Sequence, residues 1–191
     1  MTATRTGVQA TPDETLVALA RAGDRPAEEI LFGRHFEVAY RVAHRLLGHD
    51  QDALDAVQDS YVKVLGGLGS FDGRCGFRTW LLRIVTNTAL DAGRRRQRNP
   101  LVRLSEVDLD RAGAEEDPSR GLQREDLRNA IDAALARLSP AKRTTFVLFA
   151  EAGLTYEEIA ECLKVPKGTV MSRISDARQK LQAYLEGIDE H

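Results

Sequence analysis

Between Ser70 and Arg98 the chain reads SFDGRCGFRTWLLRIVTNTALDAGRRRQR. Its chemistry is that of guanidinium and amide donors: Arg74, Arg78, Arg83, Arg94, Arg95, Arg96 and Arg98, with Asn87 among them. Groups of this kind bind phosphate oxygens through charge-assisted hydrogen bonds. Read as a helix beginning near Gly76, the stretch has two sides. Phe77, Trp80, Leu81, Ile84, Val85 and Thr88 recur at spacings of three and four and form one apolar stripe. Arg83, Asn87, Leu90 and Arg94 fall at the same spacings on another side, which is polar and mostly basic. Such a helix can dock on a bundle while facing an anionic polymer. Just before it, Phe71-Asp72-Gly73-Arg74-Cys75-Gly76 is a Gly-bracketed loop able to bend around an inserted group. Loop and helix together are read as handling one strand of a DNA duplex as it opens.

Other chemistries find little support. His35, His44, His49 and His191 have no partners at metal or triad spacing, and the two cysteines, Cys75 and Cys162, form no CxxC pair. There is no GxxxxGK phosphate loop and no nucleophile elbow around a serine. The expectation is therefore no metal, no cofactor and no enzyme. The 191 residues suffice for one medium or two small domains, and 42% hydrophobic content supports real cores. The net charge of -2 and pI near 6.1 are not those of a nucleic-acid binder overall. From Asp72 to Arg103, however, eight arginines face only Asp72 and Asp91, and the local field decides phosphate binding. No apolar run approaches the roughly 20 residues of a membrane span, and the N-terminus lacks signal-peptide order. These features fit a cytoplasmic protein with reduced thiols.

The elements that would hold this stretch are helical. Thr11-Pro12-Asp13-Glu14 predicts a helix start with Thr11 as N-cap, and Leu16, Val17, Leu19 and Ala20 as its buried side. A second helix follows Pro26, with Ile30, Leu31, His35, Val38, Val42, Leu46 and Leu47 near one face. The third, from Gln51 to Leu65, turns Ala53, Leu54, Val57, Tyr61, Val64 and Leu65 to a core, with Asp52, Asp55, Gln58 and Asp59 outside. That acidic row is either a plain solvated face or a docking surface for a basic partner. Gly66-Gly67-Leu68-Gly69 is read as its stop.

From Leu101 to Arg120 the composition turns acidic and poor in large apolar residues, which reads as a flexible linker. It is either a spacer or a segment that follows the basic groove. Beyond it, Leu122, Leu127, Ile131, Leu135 and Leu138 form a helical stripe, and Ser139-Pro140 opens a helix with Phe146, Val147, Phe149 and Ala150 inward. Thr155 and Glu158 form a capping box ahead of Ile159, Ala160 and Leu163. After Lys164-Val165-Pro166 a last helix runs from Lys167 to about Leu185, burying Val170, Ile174, Ala177 and Leu181. This pair is a helix-turn-helix pattern. Its second helix exposes Gly168, Ser172, Ser175, Asp176 and Gln179, flanked by Lys167, Thr169, Arg173 and Arg178. Short polar groups suit base edges in the major groove, and the flanking groups suit phosphates.

Two regions together resemble one family. DALDAVQDSYVKVL followed by SFDGRCGFRTWLLRIVTNTALDAGRRR is similar to the promoter-melting domain of extracytoplasmic function (ECF) sigma factors. LSPAKRTTFVLFAEAGLTYEEIAECLKVPKGTVMSRISDARQKL is similar to that family's second domain. The resemblance implies an all-α fold of two small helical domains joined by a flexible linker: a sigma region 2 bundle over 11–98, a linker over 99–120 and a sigma region 4 helix-turn-helix over 121–187. It implies that Asp55, Gln58 and Asp59 contact core RNA polymerase. Ser70, Phe71, Arg74 and Phe77 would belong to the loop holding a flipped base of the −10 element. Arg83, Asn87, Asp91, Arg94 and Arg95 would line the path of the non-template strand. Arg143, Pro166, Lys167, Thr169, Ser172, Arg173 and Arg178 would meet the −35 element, with the helix around Phe146 near the polymerase flap. The implied partners are bacterial core RNA polymerase, promoter DNA and an anti-sigma factor, with no membrane insertion.

Met171 and Asp176 depart from the family pattern, standing where basic residues are frequent, and Leu65 replaces a frequent Trp. Fewer cations predict a weaker phosphate grip; Asp176 could instead accept from a cytosine amino group. Two alternatives remain: a sigma-like decoy that binds an anti-sigma factor, and a stand-alone helix-turn-helix regulator. The second leaves the stretch from Ser70 to Arg98 without a use.

Overall fold

The computed structural model describes residues 11–98 and 130–189. Every regular element among them is helical, and they form two helical units. In the first, α1 (Asp13–Arg21), α2 (Arg25–Leu47), α3 (Asp50–Gly67) and α4 (Phe77–Arg98) pack on one another, with a 3-10 turn at Leu68–Ser70. The second holds the described part of α5 (residues 130–136), then α6 (Pro140–Ala150), α7 (Tyr156–Leu163) and α8 (Lys167–Asp189). The linker expected over 99–120, and the stripe residues Leu122 and Leu127, lie outside the described residues.

Local chemistry sets the helix ends. The Asp24 carboxylate accepts from the Ala27 N–H at 2.9 Å and starts α2, with Pro26 in its first turn. Gly48, at a φ of 79°, ends it with its N–H on the His44 carbonyl, a left-handed cap that suits glycine. α1 differs from expectation. Its N-cap is Pro12, no side chain caps it, and Thr11 stands one residue too early. Gly66 and Gly67 do not stop α3, which runs through Gly67 before tightening into the 3-10 turn. Gly67 lies against the Trp80 ring, where an added Cβ would meet Cζ2 at 3.5 Å.

The core of the first unit is built where three helix faces meet. Leu31, Ala39, Val42 and Ala43 of α2, Ala53, Val57 and Val64 of α3, and Leu81, Leu82 and Val85 of α4 are all fully buried. Fully burying one such leucine or valine contributes roughly 1.5–3 kcal/mol. The buried side of α4 is wider than the predicted stripe and takes in Thr79, Leu82, Thr86 and Ala89. Two predicted core residues are surface: Leu19 is 42% and Leu65 is 44% exposed. Both sit at the edge of an apolar arc, where no third helix covers them. In the second unit Val147, Leu148, Ile159, Val170, Ile174 and Ala177 form the centre. Phe146 and Phe149, expected inward, are only partly buried, and Thr144 and Thr145 take the inner positions of α6. Their hydroxyls donate to Pro140 and Ala141 carbonyls, which lets them be buried.

Candidate nucleic-acid interface

α4 positions the stretch from which the sequence reading began. Its inner face is core, while Asn87, Asp91, Arg94, Arg95 and Arg98 are exposed and Arg83 is half-buried. The spacing 83, 87, 91 and 94–95 puts these side chains on adjoining turns of one side. Arg94 pairs with Asp91, and that hydrogen bond holds the Asp91 carboxyl below the usual carboxylate range. Arg96 turns the other way and pairs with Asp52 of α3, so it clamps two helices and is set apart from the row.

Lys63 of α3 joins the row from the side, a placement the periodicity of α4 could not reveal. Its Nζ donates to the buried Thr88 hydroxyl at 2.9 Å and its charge reaches Asp91. The only sequence signal was a lone cation next to the acidic face.

Ahead of α4 the loop is held by groups from several elements. Arg21 of α1 donates through Nε to the Leu68 carbonyl at 2.9 Å and through Nη2 to the Phe71 carbonyl, with its guanidinium 5.9 Å from the Phe71 ring centroid. The Phe71 ring lies 4.9 Å from Trp80 and meets Phe77 edge-on at 6.1 Å. Ser70 donates to Gly67 at 2.7 Å. The backbone N–H of Arg74 donates to Asp72 at 3.1 Å, and with the Arg74 guanidinium it holds the Asp72 carboxyl low. Gly73 completes the turn at a φ of 72°. Phe77 lies in the core rather than at the loop surface; it is 4% exposed and its ring is 5.6 Å from His35. It seats the loop from beneath.

The result is a cavity of about 570 Å³, lined by Ser70, Phe71, Asp72, Arg74, Cys75, Trp80 and Arg83, and from α7 by Glu161 and Lys164. Its walls combine aromatic faces with a carboxylate and guanidinium groups, the chemistry that stacks and hydrogen-bonds a planar base. Burial pushes the Cys75 thiol up, which suits a wall residue and not a nucleophile. Burial likewise pushes Cys162 up, to about 12.

On α3 the outer face carries Asp55, Gln58 and Asp59, all exposed. Gln51 donates to Asp55 at 3.0 Å. Val62, 71% exposed, continues the same face and was missed in the periodicity. Acids around an uncovered valine make a surface suited to a basic partner helix.

In the second unit α7 and α8 form the helix-turn-helix. Thr155 and Glu158 make the full capping box, and the Thr155 backbone N–H and hydroxyl keep the Glu158 carboxyl low. Lys164, left-handed at a φ of 53°, closes α7. Pro166, Lys167 and Ser172 are exposed, and Thr169 and Arg173 are half-buried. Lys167 pairs with Glu157. Three expected DNA contacts turn out to have internal partners. Arg143 donates to the Leu135 and Ala136 carbonyls, both at 2.8 Å, capping α5. Arg178 lies 4.9 Å over the Phe149 ring. Asp176 pairs with Lys142 of α6 at 2.7 Å, which occupies the oxygen that a cytosine amino group would need. Among the described residues no group of three or more His, Cys, Asp or Glu could hold a metal ion.

The sequence and structure both match known proteins. The family model for Sigma-70 region 2 matches residues 31–99 and that for Sigma-70, region 4, matches residues 128–181. ECF RNA polymerase sigma factor SigE of Mycolicibacterium smegmatis is 41% identical over 162 residues, 84% of this chain and 62% of that protein. RNA polymerase sigma-H factor of Pseudomonas aeruginosa is 31% identical over 91% of this chain and 94% of its own length. Among solved structures, CnrH in complex with the cytosolic domain of CnrY superposes with a TM-score of 0.72 at 29% identity, over 92% of this chain and 97% of CnrH. The sigma factor RpoE in complex with the anti-sigma factor NepR from Bartonella quintana gives a TM-score of 0.64 at 26% identity, over 81% of this chain and 94% of that one. Two family regions in order, and a relative matched along nearly its whole length, place this chain in the extracytoplasmic function (ECF) family of RNA polymerase sigma factors.

Proposed function

We propose that the chain, as an ECF sigma factor, binds core RNA polymerase, recognises −10 and −35 promoter elements and promotes strand opening, with the labour divided between its two helical units. The first unit, taken as 11–98, docks on the polymerase through Asp55, Gln58 and Asp59. It holds the opened strand through the loop Ser70, Phe71 and Arg74, seated on Phe77, and along Arg83, Asn87, Asp91, Arg94 and Arg95. The second, taken as 121–187, meets the −35 duplex through Pro166, Lys167, Thr169, Ser172 and Arg173, with Arg143 and Arg178 shaping that surface; residues 99–120 join the two. The observation that carries this reading is the continuity of cavity and row: Arg83 lines the cavity, and Asn87, Asp91, Arg94 and Arg95 follow it on exposed turns of α4.

The physical logic is direct. Unstacking a base costs a few kcal/mol, and seating it between aromatic and polar walls returns part of that. Cations along the exposed strand then oppose reannealing. Nucleotidyl transfer belongs to the polymerase, and this chain contributes no catalytic group. No helix among the described residues is long and apolar enough to cross a membrane, and a promoter-binding chain works in the cytoplasm. The family also implies an anti-sigma partner.

Run-off transcription with core polymerase tests the proposal. An initiator yields a transcript of defined length. A stand-alone regulator shifts duplex DNA without core and yields none, and a decoy does neither; either result would sink the reading.

A further inference from the structure

The cavity above is not built by the first unit alone, and the contacts that bring α7 to it lie elsewhere. Arg45 of α2 reaches across to the second unit, with Nη1 2.7 Å from Asp132 and Nε 2.8 Å from Glu151. Arg41, one turn earlier, places its Nε 3.5 Å from the other Glu151 oxygen. Burial alone would lower the Arg45 pKa, but the bonds to Asp132 and Glu151 outweigh it and raise the value. The Arg45 side chain is 16% exposed, so water screens this cluster less than a surface pair. A second line of polar contacts runs parallel to it. Arg78 donates to the Ala152 carbonyl, next to Glu151, and Thr79 donates to Glu158 at 3.0 Å. Glu161, one turn beyond Glu158, then stands in the cavity wall opposite Arg83 and Cys75.

We propose that Arg41, Arg45, Asp132 and Glu151 form a latch that folds the second unit onto the first, setting Glu161 and Lys164 across the mouth of the loop cavity and closing it to a single strand. The inference rests on the reading of that cavity as the strand site, while the latch itself rests on the ionic geometry. Closure acts through both charge and volume. A carboxylate at the rim repels the phosphates of an approaching strand, and α7 fills the approach. Partly buried ion pairs gain little net free energy once desolvation is counted. A latch made of them is strong enough to bias the chain and weak enough to be opened by a partner that binds the open form. Lysines and arginines on the surface of such a partner would compete directly for Glu151 and Asp132.

The test uses the full chain without polymerase. Arg45→Glu and Glu151→Arg each set like charges against each other, Glu151→Gln is a milder variant, and the swap Arg45→Glu with Glu151→Arg restores an opposite pair. Circular dichroism checks that each variant is folded. Small-angle scattering reads compactness, and fluorescence anisotropy reads binding of short, mixed-sequence single-stranded DNA. Both single reversals should enlarge the radius of gyration, and the swap should return it toward wild type. If about nine chains in ten are closed, opening them tightens apparent strand binding about tenfold, because affinity scales with the competent fraction. An unchanged radius in the folded single variants overturns the latch. An enlarged radius with unchanged strand affinity overturns the closure of the site, provided Arg83→Ala and Arg94→Ala still weaken binding. Should those two variants bind as tightly as wild type, the strand-path reading fails, and the latch is then judged by the radius alone.

Discussion

Asn87 and Arg94 project from α4 away from its buried face. Alanine at either position removes a donor without opening a cavity. Open-complex formation should fall about tenfold, equivalent to roughly 1.4 kcal/mol in a rate, while core affinity holds. Equal losses in both assays would count against the division of labour. Lys63 sits beside the same row, tethered by Thr88. Lys63→Ala should flatten the salt dependence of strand binding by about 0.7–1 in log–log slope, and Lys63→Arg should keep it; a slope unchanged by alanine makes Lys63 a structural tie only. His35 lies on the inner side of α2, 6% exposed, with Nε2 2.7 Å from Asp13. Burial holds its imidazole below the ordinary value of 6.5, although Asp13 pulls the other way. The unfolded chain therefore takes up this proton first as pH falls. The contribution of His35 to stability is whole above about pH 6.5 and drains away as pH drops below it, apart from carboxylate effects nearer pH 4. Calorimetry should show Tm declining between about pH 7 and pH 5.5, and His35→Phe should flatten that decline.

At the scale of the element, α3 carries two unrelated jobs on opposite faces. Ala53, Ala56, Val57, Ser60 and Val64 face the core, whereas Asp55, Gln58, Asp59 and Val62 are exposed. Asp59→Arg should weaken core polymerase binding about tenfold, in line with reversing one rim charge in a steered interface, and leave the melting temperature unchanged. Wild-type core affinity in a pull-down or anisotropy titration would remove α3 from the docking surface. The helix-turn-helix was legible in detail because its signals are local: a capping box, a Val-Pro turn and a stripe at spacings of four, three and four. Arg143 and Arg178 were less legible. Both look like phosphate contacts in sequence, yet one caps α5 and the other covers Phe149. An arginine's partner is chosen by what the fold places within its long reach, and spacing alone does not carry that.

For the whole molecule, the two DNA-facing surfaces lie on separate units. Arg94 and Arg173 share no partner among the described contacts, so their effects should be independent. The double variant Arg94→Ala with Arg173→Ala should lose run-off product by the product of the two single losses, to within about 0.5 kcal/mol. A smaller combined loss would mean that one unit acts only through the other. The chain's overall charge of -2 is consistent with this arrangement. Cations are concentrated on the strand row, and the acids are spent on docking, on caps and on the contact between the units.

The sequence by itself determined the helices, their order, the two-faced character of α4 and the family, because helical periodicity, caps and motif spacing are properties of near neighbours along the chain. Tertiary structure alone decided that Arg21 fastens the loop, that Lys63 stands beside α4, that Phe77 is buried under the cavity, and that Arg45 meets Asp132 and Glu151. Those pairs are separated by 47, 25, 87 and 106 positions where a hydrogen bond measures them. Contacts so remote depend on how whole helices pack, and no local pattern of residues encodes them.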